Sequence, residues 1–260
     1  MTYFEGFIVP VPEANKDAYL KHATSASGLF NEVGVRRMVE SWDSDVPEGK
    51  VTDFRKAVDA KPDEKIVFSW FEYPSRQERD AANEKFISDP RMEEMGKNMP
   101  FDGKRMIMGG FDAIVEEGQG GGGNYNDGYV VPVIKGKEEA YRQLAQKMAG
   151  KFREHGALRV VEALADDVDH GKQTDFYSAV KAEDNETIAF AFVEWPDKQS
   201  RDEAWGKIMT LAPSRCGGRC RRGSGRWSGP SSSSTSSGRR RWCRAKAWTS
   251  GRIRTSTWRR

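Results

Sequence analysis

The sequence predicts an α+β fold in which two ferredoxin-like (β-α-β-β-α-β) units follow one another and pack as a pseudo-dimer within one chain. The first observation is an internal repeat, since GFIVPVPEANKDAY at 6–19 returns as GYVVPVIKGKEEAY at 128–141. At this offset, residues 6–85 and 128–207 share 34 identities in 80 positions. The second is the glycine-rich run at 118–123, which has the composition of a flexible linker. Two long copies indicate duplication of a whole domain rather than a solenoid.

The first copy begins with a strand, a helix and a second strand. Residues 3–11 are rich in aromatic and β-branched side chains, which favours a strand that ends at the prolines. Residues 13–33 carry apolar side chains at helical spacing, and Gly34 suits the left-handed position that follows a helix. Residues 35–42 return to the composition of a strand.

The second part of the copy adds a strand, a helix and a closing strand. Residues 51–58 are ambiguous between a short strand and an irregular segment, whereas 65–73 (KIVFSWFEY) predict a strand. A helix is predicted over 75–88, because a serine and a glutamate at its start form a capping box and an Asp-Pro pair follows its end. Residues 104–115 predict the last strand.

A sheet built in this order carries both helices on one face, so its other face is apolar and needs a cover. The duplication supplies that cover from the sibling copy at high effective concentration. We therefore divide the chain into a first unit at 1–117, a linker at 118–127, a second unit at 128–210 and a tail at 211–260.

The tail differs from the rest of the chain in charge and in pattern. Residues 211–260 hold fourteen basic residues and no acidic one, whereas 1–210 hold 28 basic and 39 acidic residues. The second copy therefore lacks its last strand, which predicts an exposed sheet edge at 128–134. We interpret this Arg- and Ser-rich tail as the translation of a frameshifted gene end, the alternative being a genuine low-complexity basic segment. Either is expected to be disordered.

Long motifs in both copies resemble one family. GFIVPVPEANKDAY, EVGVRRMVESWDSDVPEGKVTDFRKAV, FSWFEYPSRQERDAA and MPFDGKRMIMGGF together are similar to the uncharacterised bacterial DUF1428 (YbaA-like) family. The resemblance covers 1–115 and 128–210. It implies a dimeric α/β barrel, in a superfamily that includes cofactor-free monooxygenases and haem-handling enzymes. It implies no agreed catalytic residues, so none are transferred to this chain.

Two carboxylates that recur in both copies are the candidate catalytic groups. Alternation along 65–73 places Glu72 beside an aromatic stripe, and Glu40 shares a strand face with Trp42. A carboxylate at the mouth of an apolar pocket has a raised pKa, so this pair would supply a general base and its partner. With their counterparts, the candidates are Glu40, Glu72, Glu162 and Glu194.

The accompanying ligand pocket is predicted from aromatic and arginine side chains near these carboxylates. Its expected members are Arg37, Trp42, Phe68, Trp70, Arg159, Phe190 and Phe192. The alternative assigns the aromatic residues to the core and pairs the carboxylates with Arg37, Arg105 or basic helix residues as structural ion pairs.

The remaining motifs do not indicate further chemistry. None of the chain's three histidines recurs at the repeat offset, which argues against a paired catalytic histidine. The Gly-Lys-x-Thr of DVPEGKVTDF lacks the strand-loop-helix context of a phosphate loop, so we predict a turn stabilised by Asp and Thr side chains. The three cysteines, all in the tail, lack zinc spacing. Neither a metal nor a cofactor is predicted.

These observations favour a bacterial cytoplasmic protein that binds a small ligand or has a structural role. Neither a signal peptide nor a membrane span is indicated by the sequence. The alternative is a cofactor-independent, monooxygenase-like enzyme acting on a small apolar or aromatic substrate. A third hypothesis is nonspecific nucleic-acid binding through the basic tail. The intrachain pseudo-dimer is the expected mode of self-association, and further dimerisation stays open.

Overall fold

The computed structural model describes residues 1–211 and 249–255, with side chains described through residue 210. The first copy contains β1 (Tyr3–Pro12), α1 (Lys16–Val33), β2 (Arg37–Asp45), α2 (Phe54–Ala57), β3 (Glu64–Tyr73), α3 (Arg76–Ser88), α4 (Pro90–Lys97) and β4 (Ile107–Gly118). The second contains β5 (Tyr125–Ile134), α5 (Glu138–Glu154), β6 (Arg159–Asp167), α6 (Phe176–Val180), β7 (Glu186–Trp195), α7 (Lys198–Leu211) and β8 (Thr249–Thr255).

The strands of both copies close one barrel in the order β1-β3-β2-β8-β5-β7-β6-β4. Strand β4 of the first copy pairs with β1 and with β6 of the second copy. Strand β8 pairs in the same way with β5 and with β2 of the first copy. Each sheet therefore covers the apolar face of the other, which confirms the predicted pseudo-dimer of ferredoxin-like units.

Two segments of the first copy have helices that the sequence patterns did not predict. The ambiguous stretch 51–58 contains α2, because the Asp53 carboxylate accepts hydrogen bonds from the backbone N–H of Lys56 at 2.8 Å and of Gly49 at 3.0 Å. The chain also continues in a helix beyond the Asp-Pro pair. Asp89 ends α3 and caps α4, whose first residue, Pro90, needs no intrahelical donor.

The expected exposed edge at 128–134 is wrong for 128–130. Strand β8 pairs with β5 from Tyr125 opposite Arg254 to Val130 opposite Thr249. The pairing needs only backbone N–H and C=O groups, so a segment of unusual composition supplies it as well as the family's own strand does. Among the described residues, 131–134 pair with β7 alone.

The register of β8 repeats that of the first copy's last strand. Gly251 lies opposite Gly128, as Gly109 lies opposite Gly6. The disorder expected of the whole tail is therefore wrong for Thr249–Thr255. The other tail residues, with the three cysteines, lie outside the described residues, so the proposed origin of the tail and its nucleic-acid binding stay predictions.

Aromatic rings from both copies fill the barrel interior. The rings of Phe68 and Phe190 are stacked with centroids 4.7 Å apart, and those of Trp70 and Phe192 at 3.9 Å. A Cβ atom at Gly6 would lie 2.6 Å from the Phe190 ring, and one at the counterpart glycine of the second copy would lie 2.8 Å from the Phe68 ring. Glycine is therefore needed at both places for a ring to lie against the strand.

The helices cover the outer faces of the sheets. Helices α1 and α3 pack on the first copy's sheet around a core that includes Tyr19, Phe71 and Phe86. Helices α5 and α7 cover the second copy's sheet, where Phe152 and Trp195 are buried. No helix in the described part of the chain combines the length and apolarity needed to cross a membrane.

Candidate functional site

Four charged side chains meet in the barrel interior where the two copies join. Arg37 donates two hydrogen bonds to Glu194 of the other copy, at 2.7 and 2.6 Å. Arg159 in turn donates two to Glu72, at 2.7 and 3.1 Å. Contacts within each copy complete the set, Arg37 with Glu72 at 3.1 Å and Arg159 with Glu194 at 3.4 Å. We call these four residues the Arg–Glu ring.

The Arg–Glu ring is mostly buried, and Glu194 within it is held in its charged form. The side chain of Glu194 is only 3% exposed, and the backbone N–H of Gly121 in the linker donates to it at 3.1 Å. Burial alone would raise the pKa of Glu194, but the hydrogen bonds and charge of Arg37 outweigh it, so the pKa lies below its ordinary value. This arrangement supports the structural ion-pair interpretation of Glu72 and Glu194.

The structure does not gather the predicted pocket residues around one cavity. The two arginines lie in the Arg–Glu ring, and four aromatic residues stack on one another in the barrel interior. Trp42 lies instead on the outer face of the sheet, where the Lys16 ammonium is 5.3 Å from its ring.

The two candidate carboxylates of the first copy lie on opposite faces of the sheet. Arg37 pairs with Glu72 and Glu40 with Ser69 between β2 and β3, so alternation turns Glu72 inward and Glu40 outward. They cannot serve one ligand together. Arg105, offered as a salt-bridge partner, binds Glu64 instead, at 2.6 and 2.7 Å.

Glu40 has the environment of a poised acid or base. Its carboxylate accepts a hydrogen bond from the Tyr19 hydroxyl at 2.7 Å. Burial raises the pKa of Glu40 to about 7, although hydrogen bonds from Tyr19 and Ser69 partly oppose the rise. The second copy repeats the pair, since Tyr141 donates to Glu162 at 2.6 Å and burial raises the pKa of Glu162 to about 7.

A cavity of about 400 Å³ opens beside Glu40, between the outer face of the first sheet and helices α1, α3 and α4. We call it the helix-side cavity. Within the described residues, six of the chain's nine methionines line it: Met38, Met92, Met95, Met99, Met106 and Met108. Its polar wall groups are Glu5, Tyr19, His22, Glu40, Ser69 and Asn83. Burial lowers the pKa of His22, which favours its neutral form.

Sequence reasoning missed the helix-side cavity, although two signals for it were present. Met92, Met95 and Met99 recur at helical spacing, directly after the Asp-Pro pair that was predicted to end the helix at 75–88. Glu5 is a charged residue inside an otherwise apolar strand, and it is buried. A buried carboxylate in such a strand indicates either a partner or a function.

Comparison with known proteins identifies the family to which the chain belongs. The sequence model "Protein of unknown function (DUF1428)" matches residues 2–103 and 124–213. The "Uncharacterized protein YbaA" of Escherichia coli (strain K12) is 61% identical over 117 residues, which are 45% of this chain and 100% of that protein. The YbaA protein of Shigella flexneri matches with the same identity and coverage. These relatives have the length of one copy.

Solved structures of similar fold are distant in sequence. An anthrone oxidase-like protein is 14% identical with a TM-score of 0.47, over 82% of this chain and 79% of that one. A ferredoxin fold protein related to antibiotic biosynthesis monooxygenases, from Listeria monocytogenes, is 10% identical with a TM-score of 0.38, over 81% and 83%.

Proposed function

The chain belongs to the DUF1428 family of unknown function, and we propose that its first copy binds a small apolar molecule in the helix-side cavity. The observation that supports this most is a cavity of about 400 Å³ with a methionine-rich wall and a few polar groups that converge on one side. Ligand sites of proteins have this size and this composition, at about 300–1,000 Å³. Methionine side chains are flexible and polarizable, so such a wall adapts to ligands of different shape.

Packing alone does not account for the helix-side cavity. Protein interiors are close-packed, and the barrel interior of this chain meets that rule with stacked rings. The copies are held together by strand pairing and by the Arg–Glu ring, and neither requires open space beneath α4. Binding of a ligand would account for this open space.

Titration with N-phenyl-1-naphthylamine, a neutral probe whose fluorescence rises in apolar surroundings, tests this function. We expect saturable binding to the full chain. Ala23→Phe, which adds a ring at the cavity wall, should weaken it at least about tenfold. Ala81→Phe on the exposed face of α3 is the matched control and should leave the affinity unchanged. Absence of saturable binding, or equal loss in both variants, would contradict the proposal.

A second candidate function is a cofactor-independent, monooxygenase-like reaction on a small aromatic substrate. The observation that favours it is Glu40, which lines the cavity, binds Tyr19 and has a pKa of about 7. A base with such a pKa is suited to proton abstraction near neutral pH. With anthrone as the probe, the carbanion formed would reduce dioxygen, the methylene carbon would become a carbonyl, and the second oxygen atom would leave as water.

Oxygen consumption with anthrone tests this second function. Glu40→Gln should abolish any rate above the uncatalysed one. Glu162→Gln is the matched control, because it changes the same Glu–Tyr pair in the second copy. Equal rates in all three proteins would refute the enzymatic hypothesis and leave ligand binding untouched.

A further inference from the structure

In the second copy, the side chain of Trp205 fills the place that corresponds to the helix-side cavity. In the repeat, Trp205 is the counterpart of Asn83. Its ring packs against Phe152, with centroids 5.3 Å apart, and the Arg201 guanidinium lies 5.4 Å from it. The core around Trp205 includes Tyr129, Ala145, Phe152 and Val193. Their repeat counterparts, Phe7, Ala23, Phe30 and Phe71, line the helix-side cavity of the first copy.

The buried carboxylates next to Trp205 and next to the helix-side cavity differ in the hydrogen bonds that they accept. In the second copy, Asp127 accepts hydrogen bonds from the indole N–H of Trp205 at 3.0 Å and of Trp195 at 3.1 Å. The Nε–H of Arg201 is shared between the two Asp127 oxygens, at 3.0 and 2.9 Å. The buried Asp127 is therefore well supplied with donors.

The counterpart Glu5 in the first copy is held by longer contacts than Asp127. It accepts hydrogen bonds from the Tyr73 hydroxyl at 3.3 Å and from the Asn83 amide at 3.4 Å, and the Arg79 guanidinium pairs with it at 3.7 Å. Arg79 makes its closer hydrogen bond with Asp167 of the second copy instead. Glu5 is 4% exposed and lines the cavity, so a buried acceptor faces the space that an aromatic donor fills in the other copy.

Building on the proposed function, we propose that the helix-side cavity takes a planar aromatic molecule with an N–H donor, which it directs to Glu5. The Trp205 indole on Asp127 shows the same recognition within the chain. A bicyclic ring would lie beside Phe30 and Phe71, and its N–H would give the Glu5 carboxylate a further hydrogen-bond donor, as the Trp205 indole does for Asp127. Because Trp205 already fills the second place, each chain has one such site.

Calorimetric titration of the full chain with indole, and with benzofuran as the same ring without the donor, tests this inference. We expect one indole per chain and about tenfold weaker binding of benzofuran, the effect of one lost hydrogen bond to a buried acceptor. Glu5→Met should remove the preference for indole while benzofuran still binds. Asn83→Trp, which copies the second copy's occupant, should abolish binding of both, and thermal melting should verify that each variant is folded.

Each outcome separates this inference from the proposed function. Equal affinity for indole and benzofuran, both lost in Asn83→Trp, would overturn the role of Glu5 and leave the cavity as a binding site. Two indoles per chain, or indole binding that survives Asn83→Trp, would overturn the single-site assignment. N-phenyl-1-naphthylamine is a larger, twisted aromatic amine, so failure of both small rings to bind while it still binds would overturn the planar bicyclic ligand and leave the cavity as a binding site. Failure of all three would overturn the proposed function as well.

Discussion

Removal of one charge from the Arg–Glu ring should destabilise the whole barrel. In Glu194→Gln, an amide replaces a carboxylate that is 3% exposed and that accepts two hydrogen bonds from Arg37. Removing one partner of a buried ion pair lowers the free energy of unfolding by about 3–5 kcal/mol, because the other charge stays buried without compensation. Arg37 is 21% exposed and keeps its contact with Glu72, so we expect the lower end, about 3 kcal/mol.

Urea unfolding monitored by tryptophan fluorescence measures this loss. With a slope of about 2–3 kcal/mol per molar urea, the midpoint of Glu194→Gln should fall by about 1 M. Glu139→Gln is the control, because its ion pair with Arg142 lies on an exposed helix face and should not move the midpoint measurably. Equal shifts in both variants would refute the assigned role of the Arg–Glu ring.

Three further predictions concern packing, pH and the barrel edge. Gly6→Ala should lower the free energy of unfolding by about 1–3 kcal/mol, because its Cβ would overpack against Phe190. Gly28→Ala has open space around its Cβ and should raise the free energy of unfolding by about 0.5–1 kcal/mol, since alanine favours the helix; urea midpoints measure both changes. Burial raises the pKa of both Glu40 and Glu162 from 4.5 to about 7, so the free energy of unfolding should fall as pH rises through that range. Glu40→Gln should reduce the difference between urea midpoints at pH 5 and 8, and adding Glu162→Gln should reduce it further; an unchanged difference would contradict this. Deletion of 212–260 removes β8 and exposes the edges of β2 and β5, so light scattering should show self-association, and a monomer would contradict it.

Local sequence patterns were enough for most of the fold. Gly34 takes a φ of 115° and its N–H bonds Phe30 and Asn31, as a glycine after a helix should. Ser75 accepts from the backbone N–H of Glu78, which confirms the predicted cap of α3. Alternation along β3 correctly placed Glu72 with Trp70, whose indole N–H donates to it at 2.9 Å. These features depend on neighbours a few residues away, so the sequence carries them directly.

The site depends on relations between distant elements, which the patterns do not encode. The repeat matches Glu72 with Glu194, but only the closed barrel reveals that Arg37 reaches across to the other copy's glutamate. Glu40 and Glu72 were wrongly assigned to one pocket because alternation gives the parity within a strand and not between strands. Strand β8 was missed because its composition gives no strand signal, while its backbone still pairs.

A crystal structure of the full chain soaked with N-phenyl-1-naphthylamine tests the central claim most directly. We predict density for the probe in the helix-side cavity, between Met38 of the sheet and the methionines of α4, and none beside Trp205 of the same chain. Density inside the barrel among the stacked rings, or beside Trp205 with the helix-side cavity empty, would contradict the account.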